Sequence, residues 1–205
     1  MVGVAGITDQ HVERAAGGSQ QDVSQVVEAM LPQIRLMVVA RLAPKPAQFH
    51  LIDDVVQEVS SALAVGLGGL RARTLDGLRA FLSGITARQV ARLLADPGGR
   101  GPAGRPLQSL DSTINSSSNA GPLWEFLSSS GTSPISAADR ADRAARLLSE
   151  LGRLKDRHRE VITLAFFDQL ALAEIGARMG LSRNAASVLL LRAVGTLRRR
   201  MTGVA

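Results

Sequence analysis

Apolar residues recur along this chain at the three-then-four spacing that gives a helix one buried face. The clearest case runs from Leu172 to Arg192, LAEIGARMGLSRNAASVLLLR. Leu172, Ile175 and Met179 line a first short helix. Gly180 ends it, as a residue that tolerates left-handed backbone. Leu181 plugs the corner, and Ser182 is a good N-cap because its hydroxyl can accept an orphan N–H. The second helix buries Ala186, Leu190, Ala193 and Leu197. Two helices joined this tightly make a helix-turn-helix, whose second helix enters the DNA major groove. The same pattern also occurs in plain helical bundles.

The rest of the chain follows the same period. Residues 1–21 are small and polar and are expected to be disordered or loosely held. A helix is predicted from near Asp22, with Val23, Val26, Val27, Met30 and Leu31 on its apolar face. Pro32 interrupts it or starts a new turn, and Ile34, Met37, Val38 and Leu42 continue. After a Pro44-Lys45-Pro46 loop, Leu51 to about Val65 is predicted helical, burying Ile52, Val55, Val56, Val59 and Leu63. Asp53, Asp54, Gln57 and Glu58 fall on its other side. These acids suit the positive end of a helix dipole, or they form a face that docks on Arg or Lys of a partner. Gly66, Gly68 and Gly69 break the pattern, and Leu70 to Thr74 is a basic loop. Helix resumes from Leu75 to Leu94, with Leu78, Phe81, Leu82, Ile85, Val90, Leu93 and Leu94 as core positions.

From Asp96 to Ser136 the composition turns to Pro, Gly and Ser, the chemistry of a linker. About forty residues could reach roughly 130 Å if extended. Leu123 to Leu127 is one apolar island in it, read as a satellite contact rather than a recognition segment. Beyond it, Leu147, Leu148, Leu151 and Leu154 line a helix that leads through Lys155 to Glu160 into the helix-turn-helix, with Phe167 to Gln169 as the bend. The expected fold is all-α: two small helical domains, 22–95 and 137–205, joined by a long flexible linker at 96–136.

Composition narrows the chemistry. The 205 residues include no Cys and three scattered His, which excludes disulfides, thiol catalysis and Cys-based zinc sites. No Ser/His/Asp set, phosphate-cradling loop or metal spacing stands out, so neither an enzyme nor a cofactor is expected. No signal peptide is apparent, no apolar run looks long enough to span a bilayer, and a cytoplasmic location is expected. The net charge of +6 is uneven. Residues 137–205 hold 13 Arg/Lys against 7 Asp/Glu, while residues 1–95 hold 9 against 8. The excess therefore sits with the helix-turn-helix, where it would attract a polyanion.

Two segments together resemble one family. The pattern from Leu147 to Arg199, with RHREVITL before LAEIGARMGLSRNAASVLLLRAVGTLRR, resembles the promoter-binding C-terminal region of sigma-70 RNA polymerase initiation factors. DDVVQEV at Asp53 to Val59, followed by GLRAFLSGITARQVARLL at Gly77 to Leu94, resembles the family's core-binding and promoter-melting region. Their order and spacing look like the two-domain extracytoplasmic-function type. The resemblance implies that Asp53, Asp54, Gln57 and Glu58 bind the clamp helices of core RNA polymerase. Arg71, Arg73, Thr74, Arg88, Gln89 and Arg92 would hold the promoter −10 element and its separated strand. Ser182, Arg183, Asn184, Ser187, Val188 and Arg192 would read the −35 element. Further implied partners are promoter DNA, the polymerase flap and an inhibitory anti-sigma protein, with no insertion into a membrane. The groove-facing surface of the second helix is mostly small or apolar, with Val188, Leu189 and Leu191 beside Asn184 and Arg192. Either DNA shape supplies part of the specificity, or these apolar residues serve a protein partner.

Overall fold

The computed structural model describes residues 7–42, 49–95, 123 and 137–203. All the regular structure among them is helical, as the periodicity predicts. Eight α-helices follow in order: α1 (Asp9–Ala16), α2 (Gln20–Leu42), α3 (Phe49–Gly66), α4 (Leu75–Ala95), α5 (Ala137–Gly152), α6 (Asp156–Ile162), α7 (Leu172–Met179) and α8 (Arg183–Thr202). The chain divides into two compact units, residues 1–38 with 44–112 and residues 39–43 with 113–205. Of the predicted linker at 96–136, all but Leu123 lies outside the described residues, and Leu123 is buried.

Of the start expected to be disordered or loosely held, residues 1–21, the described part, residues 7–21, is ordered instead. Residues 9–16 form α1, and Ile7, Val12, Ala15 and Ala16 are buried. The corner into α2 is held by charge. Arg14 Nη2 meets Asp22 Oδ1 at 2.9 Å, and the Ser19 hydroxyl donates to Asp22 Oδ2 at 2.6 Å. The Arg14 guanidinium, and then the Ser19 hydroxyl, hold the Asp22 carboxyl below the usual carboxylate range. α1 packs on the 3-10 turn Leu67–Gly69 and on α4, and α3 packs on α4.

Pro32 does not interrupt α2, which runs through it. Pro32 and Glu28, whose carbonyl loses its helical partner, both face solvent, so water can satisfy the orphan oxygen. Val26, Met30, Ile34, Met37 and Val38 are buried on the other side. The view that no stretch could span a bilayer is also corrected: α2 is long and apolar enough by length and composition. Here Val26, Met30, Ile34, Met37 and Val38 of this helix lie in the core of the first unit.

In the second unit, α8 packs against α5, α6 and α7. The buried side of α5 carries Leu147 and Leu151, followed by Leu154 in the turn. After α6 the backbone widens into a π-helical turn, Thr163–Phe167, with all five side chains buried. Asp168 N–H closes it on the Thr163 carbonyl at 3.0 Å, and Gln169 then takes a left-handed φ of 54°. The predicted bend at Phe167 to Gln169 is therefore the exit of a longer, buried turn.

The α7–α8 corner forms as its residues dictate. Gly180 adopts φ 68°, ψ 36°, and the Ser182 hydroxyl accepts Ala185 N–H at 3.2 Å. Leu181 N–H reaches back to the Gly176 carbonyl at 2.8 Å. Gly176 matters for space: a Cβ there would sit 2.7 Å from the Leu181 carbonyl oxygen. Gly176→Ala forces this backbone apart, and overpacking of this kind costs roughly 1–3 kcal/mol. Denaturant unfolding of the variant should show that loss; an unchanged midpoint would mean the corner opens freely.

Candidate nucleic-acid interface

α8 presents its outward face as a helix of 3.6 residues per turn must. Ala186, Ala193, Val194 and Leu197 are buried, which turns Asn184, Val188 and Leu191 outward, with Arg192 on the shoulder. Val188 is 46% exposed and Leu191 69% exposed. Both are large apolar side chains left in water on the same face of the helix. A shallow groove runs along it, lined by Arg157, Leu181, Asn184, Ala185, Val188, Leu189 and Arg192. The structure thus brings together Asn184, Val188 and Arg192 from the predicted −35 set. Ser182 and Arg183 are exposed at the start of the helix, and Ser187 lies half-buried on its shoulder. The Ser182 oxygen is occupied by capping, which leaves its O–H able to donate.

Arg157 is the residue that sequence reasoning missed. It sits two places into α6, and only the fold carries it to the wall of a groove on α8. The signal was present in Arg157-His158-Arg159, but spacing alone does not sort the three. Arg159 turns inward: it is 6% exposed and donates to the Leu154 carbonyl at 2.9 Å while pairing with Asp156. It fastens the α5–α6 turn rather than reaching a ligand. His158 lies between the two, half-buried. Burial, and then the charges of Lys155, Arg192 and Arg200, push its pKa below the ordinary 6.5.

Of these three cations, Arg192 lines the groove. Not all of the basic tail serves it. Arg200 donates to the Arg153 carbonyl at 3.1 Å and lies 3.9 Å from Glu150, and Arg146 donates to the Met201 carbonyl at 3.2 Å. These bonds tie the end of α8 to α5.

In the first unit, Asp53, Asp54, Gln57 and Glu58 are all exposed on one side of α3, opposite buried Ile52, Val55, Val56, Val59 and Leu63. They are not equivalent. Asp53 already pairs with Arg35 of α2 at 2.7 Å, both half-exposed, an arrangement worth about 0–1 kcal/mol. No ion pair of Asp54 or Glu58 occurs among the described residues.

The residues expected at the −10 element fall in two groups. Arg71, Arg73 and Thr74 are exposed in the loop before α4, and Arg88 and Arg92 are exposed one turn apart on α4. Thirteen residues of helix put about 20 Å between the loop end and Arg88. Gln89 does not join them. Its side-chain oxygen is buried, with no hydrogen-bond partner among the described residues, so it points inward rather than along the Arg88–Arg92 face.

Helices α7 and α8, joined at Gly180, have the form of a helix-turn-helix, with Arg157 and Arg192 on the walls of an otherwise largely apolar groove. The family model described as "Sigma-70, region 4" matches residues 151–199, which span this module from the end of α5 through most of α8. This part of the chain is similar to sigma-70 region 4, the region that its sequence resembles. The structure of CnrH in complex with the cytosolic domain of CnrY is similar to this chain at 23% identity, covering 96% of this chain and 98% of that one, with a TM-score of 0.43. No curated protein matches.

The depressed His158 pKa has a stability consequence with a definite sign. The neutral imidazole is the form the fold prefers. Below about 6.5 the unfolded chain takes up this proton before the folded one does. Stability should therefore fall as pH drops from about 6.5 toward the lowered folded value. His158→Gln should flatten this part of the profile when thermal midpoints are compared at pH 7.5 and 5.5. An identical slope in the variant would remove His158 from the cationic cluster.

Proposed function

We propose that this chain is a sigma factor of the two-domain, extracytoplasmic-function type, which binds core RNA polymerase and directs promoter recognition. The observation that carries the proposal is the sigma-70 region 4 match lying on an exposed groove with cationic walls. Residues 137–205 would be the region 4 domain that reads the −35 element, and residues 22–95 the region 2-like domain, with 96–136 as the connection.

The chemistry is binding, not bond-making. Asn184 is suited to adenine, Arg192 and Arg157 to phosphate or guanine, and Val188 and Leu191 to thymine methyl groups. Ser182, Arg183 and Ser187 add donors at the helix start. On the first unit, Asp54, Gln57 and Glu58 would meet the basic clamp helices of polymerase, with Asp53 held partly by Arg35. Arg71, Arg73, Thr74, Arg88 and Arg92 would hold the displaced strand by its phosphates, so that strand opening is driven by binding energy. The factor would supply no catalytic group or cofactor. It would act in the cytoplasm, where polymerase is, and an anti-sigma protein would be a fitting regulator. The exposure of Val188 and Leu191 supports a second reading, a sigma-like protein that docks on polymerase or a regulator without selecting promoters.

Promoter-dependent transcription by the purified chain with core polymerase tests the proposal. Transcription supports a sigma factor, and polymerase binding without it supports the second reading. DNA binding with no affinity for core would point to a polymerase-independent regulator. Arg192→Ala and Asn184→Ala should each weaken −35 duplex binding, by roughly 1–3 kcal/mol where a base contact is lost. Asp54→Ala with Gln57→Ala should weaken polymerase binding and leave duplex binding alone. Unchanged affinities in both assays would overturn the residue roles.

A further inference from the structure

The first turn of α4 has three backbone N–H groups with no partner inside the helix, those of Leu75, Asp76 and Gly77. One is satisfied locally: Gly77 N–H donates to the Thr74 hydroxyl at 3.2 Å. Another is satisfied from 66 residues away, where Leu75 N–H donates to Asp9 Oδ1 at 2.8 Å. Asp9 is the first residue of α1. Its carboxylate therefore stands at the positive end of the α4 dipole, directly after the loop that carries Arg71 and Arg73.

Three further features fix that loop. Leu70 is a buried anchor at 7% exposure. A Cβ on Gly77 would lie 2.1 Å from the Ala72 carbonyl oxygen, so the loop lies flat against the first turn of α4. α1 itself packs on the turn at Leu67–Gly69 that leads into the loop. Helix α1 is in turn held by buried Val12 and by the Arg14–Asp22 pair. It touches both ends of the basic segment, the turn before it and the helix start after it.

The geometry points to Asp9 as a positioning residue: through its bond to Leu75 N–H, the N-terminal helix sets the conformation in which Arg71, Arg73 and Thr74 are offered to a single strand. This rests on the strand-holding role proposed for that loop. Asp9 does not itself meet the DNA. It acts by keeping the loop in one shape before binding, so that the strand does not have to order it.

The test compares the full-length chain with Asp9→Ala and Asp9→Asn. Asn keeps an oxygen that can accept Leu75 N–H, and Ala does not. Trypsin cuts after Arg71 and Arg73, so native-state cleavage there reads loop opening without any DNA. Asp9→Ala should be cut at these two sites several-fold faster than the parent chain, with a thermal midpoint within a few degrees of it, and Asp9→Asn should be close to the parent. With core polymerase, Asp9→Ala should bind normally yet hold a single-stranded −10 oligonucleotide several-fold more weakly. Unchanged cleavage at Arg71 and Arg73 would overturn the positioning role. So would faster cleavage everywhere with a matching fall in midpoint, or failure of Asn to rescue. If the parent chain holds no strand, the proposed function fails, and the cleavage comparison still decides whether Asp9 fixes the loop.

Discussion

The second unit depends on how closely one backbone can approach another at Gly176. The hydrogen bond from Leu181 N–H to the Gly176 carbonyl, 2.8 Å long, and the missing Cβ let the turn fold back onto α7. Gly180 in the left-handed region then starts α8 in a fixed direction. With that direction set, burial of Ala186, Ala193, Val194 and Leu197 decides what remains outside. Asn184, Val188, Leu191 and Arg192 are exposed because the corner leaves them no other side to occupy. Specific side chains can be exchanged on such a face while the face itself stays where it is.

Much of this was legible in the sequence, because its signals are local. Gly180 and Ser182 act as turn and cap by their own chemistry. The acids of α3 separate cleanly from Ile52, Val55, Val56, Val59 and Leu63 by period alone. What was not legible depends on neighbours distant in sequence. Helix α1 is eight residues long and mostly polar, with Val12 its one large apolar side chain; it is held by contacts to segments some sixty residues further on. Asp53 looked equivalent to Asp54 until Arg35 of another helix was found beside it. Gln89 looked like a partner of Arg88 and Arg92, although it lies about 100° from the first of them and turns inward. In α7, Leu172 and Met179 are only half-buried, and Gly176 takes the inner place beside Ile175.

Charge is divided in the same way. The sequence locates a positive excess but cannot say which cations are spoken for. Arg159 and Arg200 bind backbone carbonyls and carboxylates inside the second unit, so they stabilise the fold and add to the field only as background. Arg157 and Arg192 line the groove, and no ion pair of either occurs among the described residues to cancel their attraction to a phosphate. Arg192 is also among the cations that, after burial, push the His158 pKa down.

The π-helical turn at Thr163–Phe167 has a consequence for how this module tolerates change in length. A bulge of this kind is one residue more than an ordinary helical turn holds. Regular winding would carry each later position about 100° further round the axis for every added residue; the widened turn takes that residue up within itself, with Thr163 to Phe167 all buried. The turn is thus a slack point in the length of the module, the place where a residue gained or lost leaves the flanking helices in their seats.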